Sequence, residues 1–197
     1  MSKSTIQYWC RNIVLTNKQL KLLAEMQKMG GMIAAERLRK KRLALTKQLF
    51  SQGAKEIRRL SPREAFLIGI ALYWAEGYRK GNDEFGFTNS DPKMIKFIVN
   101  WLQNSCAVSA DRIRLRICIN NVHKNRLKLI QKFWFDITKM PANQFSRPTL
   151  INIKNKKAYK NHNEYFGTLR IKISKGTNFR RKLLGWIEGI AKNSPPG

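Results

Sequence analysis

Acidic residues are scarce in this chain of 197 residues: 12 Asp and Glu stand against 39 Lys and Arg, a formal net charge of +27. Folding gains nothing from that much self-repulsion, so the imbalance argues for a polyanionic partner. Cysteine is also scarce. Cys10, Cys106 and Cys118 fall far apart, which gives no paired spacing for zinc or a disulfide framework and reads as buried thiols in a reducing compartment. The two histidines, His123 and His162, sit in polar basic stretches without the clustered ligands that zinc chemistry needs. No apolar run reaches the roughly 18 to 20 residues of a spanning helix. The N-terminus lacks the apolar segment and small-residue cleavage site of a secretory signal. These absences predict a cytoplasmic, nucleoid-associated protein with no membrane partner. A glycine-rich phosphate loop is missing too.

What is present is apolar enough to fold. Hydrophobic residues make up 43%, with five Trp and ten Phe, too rich for a disordered basic tail. The expected organisation is a basic helical extension over residues 1–60, a main domain over 61–191 and a disordered tail over 192–197. In the extension, Ser2 to Arg11 looks like the recognition helix of a truncated helix-turn-helix. Thr16 with Gln19 reads as an N-cap pair, and Leu20, Leu22, Leu23 and Met26 give an apolar stripe expected to stop at Gly30-Gly31. A second helix is expected from Ile33 to about Leu60, carrying the basic run Arg37, Arg39, Lys40, Lys41 and Arg42. Such a run serves either as a solvated face or as a phosphate contact.

The pattern sharpens at Ser61-Pro62-Arg63-Glu64, a capping box that launches the apolar helix Ala65 to Gly77. Being apolar all round, that helix is expected to be buried on every side, and the small pairs Ala65/Gly69 and Ala71/Ala75 would admit another backbone closely. A strand through Phe85 to Asn89 follows, then a helix from Asp91-Pro92 with Ile95, Ile98, Trp101 and Leu102 as its stripe. Ile113, Leu115, Ile117 and Ile119 alternate with Arg112, Arg114 and Arg116, the signature of a half-buried strand. A helix over about 125–138 comes next. Two more alternating segments place Ile151 and Ile153 against Asn152 and Lys154, and Leu169, Ile171 and Ile173 against Arg170, Lys172 and Ser174. A last helix runs from Phe179 to Ala191.

If those strands share one apolar face, Arg112, Arg114, Arg116, Lys154, Arg170 and Lys172 gather on the other, with Asn152 and Thr88 able to reach base edges. A ribbon of that kind fits the major groove of duplex DNA. Ordinary solvated strand faces carry lysine and arginine too, but with carboxylates interspersed. Glu76 is the second anomaly. It ends an apolar helix just before Gly77, where the helix dipole disfavours a carboxylate, so a cation is expected beside it: Arg79, Lys80 or a divalent metal.

Gly69 to Gly77, GIALYWAEG, resembles the LAGLIDADG motif of homing endonucleases. Ala71 and Ala75 match its small helix-contact positions, Glu76 its metal-binding acid and Gly77 its closing glycine; Gly69-Ile70 replace the opening Leu-Ala, and Trp74 stands at the first aspartate. With FTNSDP and LLGWIEGI further on, the chain is similar to stand-alone bacterial LAGLIDADG-like proteins over Ser61 to Ala191. The resemblance implies an α+β fold with a saddle-shaped antiparallel or mixed sheet covered by helices. It also implies a homodimer joined through the motif helix at Ala71, Ala75 and Gly77, and Mg2+ held by Glu76 for phosphodiester cleavage. Lys80, Arg79 or a strand lysine such as Lys172 would neutralise developing phosphate charge. LLGWIEGI has a different glycine-to-acid spacing and reads as a closing helix. Two alternatives stay open: a non-cleaving, sequence-selective transcriptional regulator, and an RNA-binding protein.

Overall fold

The computed structural model describes residues 2–78, 84–153 and 162–193. The chain divides into two units, Met1–Arg59 and Leu60–Gly197. In the first, α1 (Lys3–Cys10) begins where the Ser2 side chain accepts from the Thr5 N–H, and α2 (Asn17–Glu56) begins at the reciprocal Thr16/Gln19 capping box. The expected break at Gly30-Gly31 does not occur. α2 runs 40 residues through both glycines, about 60 Å at the usual rise. Glycine ends a helix by turning left-handed, and neither Gly30 nor Gly31 has a positive φ, so each costs only roughly 1 kcal/mol of propensity. No residue of α1 or α2 is buried. The apolar residues of α2 do not make one stripe: Leu22, Met26, Met29 and Ile33 line one side, whereas Leu38, Leu45 and Leu49 fall nearly opposite at 3.6 residues per turn.

The second unit is α+β. It contains α3 (Pro62–Glu76), β1 (Gly86–Asn89), α4 (Pro92–Asn100), β2 (Ile113–Asn120), α5 (Leu127–Thr138), β3 (Phe145–Ile151), β4 (Thr168–Ile173) and α6 (Thr177–Asn193). The strands make one mixed sheet in the order β1-β4-β2-β3. β4 pairs antiparallel with both β1 and β2, and β3 lies parallel to β2, with α5 in the crossover between them.

Alternation decides which sheet face is inside. Ile113, Leu115, Ile117 and Ile119 of β2, Leu169, Ile171 and Ile173 of β4, and Phe87 of β1 are all buried. They meet Ile95, Ile98 and Leu102 from the α4 region, Ile130 and Trp134 of α5, Ile70 and Tyr73 of α3, and Leu183 of α6 in one core. Two tryptophans place their polar edges on backbone: Trp134 Nε1 donates to the Phe166 carbonyl (2.9 Å) and Trp101 Nε1 to that of Phe66 (3.1 Å).

Two expectations are corrected. β3 ends at Ile151, short of the expected inward-facing Ile153, and Leu150, Ile151 and Ile153 are exposed, Ile153 at 65%. β3 is an edge strand containing Pro148, with a register shift against β2 between Arg116 and Cys118, so its alternation is not imposed by a covered face. α3 is buried on one side only, through Gly69, Ile70 and Tyr73. Gly69 receives the Trp101 indole of its own unit, since a Cβ there would overlap the ring. Ala71 and Ala75 are exposed instead, flanking Trp74 at 40%. Among the described residues no helix is long and apolar enough to cross a membrane.

Candidate nucleic-acid interface

The sheet face opposite the core is read off the strand registers. Gly86, Lys172 and Arg114 form one cross-strand row; Thr88, Arg170, Arg116 and Ser146 form the next, reaching all four strands. Beyond it lie Thr168, Cys118 and Thr149, a neutral row. The same two-residue period that buries the isoleucines sends these side chains to the other face.

The basic residues expected here do not behave alike. Arg112 precedes the strand, in the turn Ala110–Arg112, and its guanidinium donates to the carbonyls of Ser174 (3.3 Å) and Lys175 (3.1 Å). Arg114 donates to the Asp111 carbonyl and to the Gln144 side chain. Lys172 forms an ion pair with Glu84 at 2.8 Å. Arg116 and Arg170 remain. They stand directly opposite each other across β2 and β4, and neither has a hydrogen bond or ion pair among the described residues. Asn152 is exposed just past the end of β3. Lys154, Arg79 and Lys80 lie outside the described residues.

Tyr78 completes the row and was not anticipated. Its N–H donates to the Gly86 carbonyl at 3.0 Å, and its ring lies over Gly86, occupying the space a Cβ would need. The Tyr78 and Thr88 hydroxyls share a hydrogen bond of 2.9 Å. The Arg170 guanidinium carbon sits 5.6 Å from the Tyr78 ring centroid, and Arg170 Nε is buried without a hydrogen-bond partner among the described residues. Tyr78 is anchored from the core side, its carbonyl accepting from the Tyr73 hydroxyl (3.4 Å) and from buried Arg180 (3.5 Å). Burial raises the Tyr73 pKa, keeping that hydroxyl a donor. No local motif marks Tyr78; the available signal is the Gly86-Phe87-Thr88 alternation, which leaves a bare glycine on the polar face for a ring to cover.

Glu76 is the last residue of α3 and is exposed, as the helix-end reading requires. Gly77 caps the helix by donating to the Tyr73 carbonyl at 2.7 Å. It does so in an extended conformation rather than a left-handed one, and its lack of a Cβ makes room for the Tyr73 ring. Among the described residues no three His, Cys, Asp or Glu side chains gather as a metal set. Arg180 also lines a cleft of about 210 Å³ with Tyr73, Trp74, Tyr78, Leu184 and Ile187.

The thiols differ from one another. Cys118 is buried and Cys106 half-buried, the latter pushed up to about 12 by burial, whereas Cys10 is exposed, against the expectation of three buried thiols. His123 is buried beside Arg126, with Nδ1 3.2 Å from a guanidinium nitrogen. It is a core residue. No family model, curated protein sequence or solved structure matches the chain.

Proposed function

We propose that this chain binds double-stranded DNA through the polar face of the β1-β4-β2-β3 sheet. The observation that carries the reading is the Arg116/Arg170 pair. Like charges directly opposite on neighbouring strands cost stability, and no carboxylate among the described residues offsets them. A polyanion lying across the sheet would. Thr88 and Ser146 at the two ends of the row add neutral donors and acceptors of the kind that read base edges. Fluorescence titration of the full chain with duplex DNA and with structured RNA tests this. The expected outcome is tighter, salt-sensitive binding to duplex; preference for RNA contradicts it.

A second reading adds cleavage and is favoured by Glu76, an exposed carboxylate at the C-terminal end of α3 with no ion pair among the described residues. In this reading the unit is a LAGLIDADG-like endonuclease. Exposed Ala71 and Ala75 on α3, with Leu67 and Ile68 half-buried beside them, support a homodimer through that helix. Its twofold axis would bring two Glu76 carboxylates together, a like-charge arrangement that a cation relieves. Mg2+ held there would supply a Lewis acid for water activation. Lys172 is assigned to the sheet face, where Glu84 holds it, rather than to charge neutralisation. Duplex cleavage that requires Mg2+ and is lost in Glu76→Gln supports this reading; binding that survives Glu76→Gln with no cleavage by either protein leaves the non-cleaving regulator.

A further inference from the structure

We infer that Arg170 is a fixed reader of guanine in the DNA major groove, and that Tyr78 is the positioning residue that aims it. The inference rests on the duplex-binding reading above.

A long arginine on an open strand is ordinarily a mobile cation, suited to a phosphate and indifferent to sequence. Arg170 is not held that way. Its guanidinium carbon lies over the Tyr78 ring, 5.6 Å from the centroid, and its Nε is withdrawn from solvent without a hydrogen-bond acceptor among the described residues. The ring is itself fixed: the Tyr78 N–H is bonded to Gly86, its hydroxyl to Thr88 and its carbonyl to Tyr73 and Arg180. A cation–π contact of this kind restrains where the guanidinium sits and lowers the entropy lost when both terminal nitrogens bond at once. A planar fork held in one orientation matches the two acceptors, O6 and N7, that guanine alone presents together in the major groove.

The neighbours sharpen the assignment. Arg116, opposite on β2, is exposed and has no aromatic ring against it among the described residues, which suits a phosphate contact. Lys172, one row away, is held by Glu84, and Arg114 by Gln144 and the Asp111 carbonyl. Arg170 is thus the half-buried arginine of the row whose donors are oriented but unspent. Thr88, bonded to Tyr78, borders it on β1 and limits the base that can stand beside it.

The experiment is selection of bound duplexes from a randomised DNA library by the full-length wild type, Arg170→Lys, Tyr78→Leu and Arg116→Lys. Wild type is expected to enrich a motif with at least one invariant G·C pair. Arg170→Lys keeps the charge but loses the fork, so preference for guanine at that position falls about ten-fold or more, while the rest of the motif persists. Tyr78→Leu, which removes the ring, blurs the same position. Arg116→Lys leaves it intact. An Arg170→Lys motif identical to wild type overturns the inference while leaving the duplex-binding reading in place, and so does even weakening across all sequences. If wild type enriches no duplex sequence, both fall.

Discussion

Gly69→Ala is expected to destabilise the second unit by about 1 to 3 kcal/mol, since the new methyl meets the Trp101 indole that is pinned to the Phe66 carbonyl. Gly30→Ala and Gly31→Ala should do the opposite. Nothing lies within 4 Å of either Cβ position, so each favours α2 by up to about 1 kcal/mol. Urea unfolding followed by circular dichroism separates the two signs. Thiol labelling checks another contrast. At pH 8 the Cys106 thiol, pushed up to about 12, is ionised to roughly one part in ten thousand. Exposed Cys10 should label first, with Cys106 and Cys118 following only on unfolding. The arginines show the limit of reading residues from sequence. Arg112, Arg114 and Arg116 share one parity and look interchangeable, yet carbonyls of Ser174 and Lys175 engage the first, and Gln144 with the Asp111 carbonyl the second. All of those acceptors but the Asp111 carbonyl arrive from distant segments, so sequence spacing could not separate the three. Arg112→Ala should accordingly lower stability more than it lowers DNA affinity.

Element starts were legible because caps are local. Ser61 accepts from the Glu64 N–H at 3.2 Å, and the Glu64 carboxylate accepts from the Ser61 N–H at 2.6 Å. Ser61→Ala should cost about 1 kcal/mol in thermal or urea unfolding. Hydrogen bonds from the Ser61 side chain and backbone hold the Glu64 carboxyl below its ordinary value. Its contribution is therefore present above the ordinary carboxylate pKa and lost as pH falls through the lowered one. A pH series on wild type and Ser61→Ala should show the gap closing on acidification. Alternation likewise gave β2 and β4, where a covered face enforces the period. It misplaced Ile153, because β3 is a parallel edge strand interrupted by Pro148 and that face is not enforced. The glycine pair misled in α2 for a related reason. A break needs a left-handed residue, and neither glycine has a positive φ; the apolar residues of α2 are also spread around the helix rather than gathered on one side that could fold back. The reading of α3 as buried all round treated its apolar character as one property. The structure divides it between an inner side, Gly69, Ile70 and Tyr73, and an open side at Ala71 and Ala75.

For the whole molecule, the charge of +27 favours long-range attraction to a polyanion, and in the proposed function the sheet face is where specificity would reside. Dimerisation through the open side of α3 is tested by sedimentation: wild type should run as a dimer and a folded Ala71→Arg/Ala75→Arg variant as a monomer, whereas a monomeric wild type contradicts the shared-axis arrangement. Duplex binding by the sheet is tested most directly by measuring the affinity of wild type and of Arg116→Ala/Arg170→Ala for one selected duplex across a salt series. The double variant is expected to form at least a ten-fold weaker, less salt-dependent complex, with an unchanged circular dichroism spectrum. A folded double variant that binds as tightly as wild type, with the same salt slope, would contradict it.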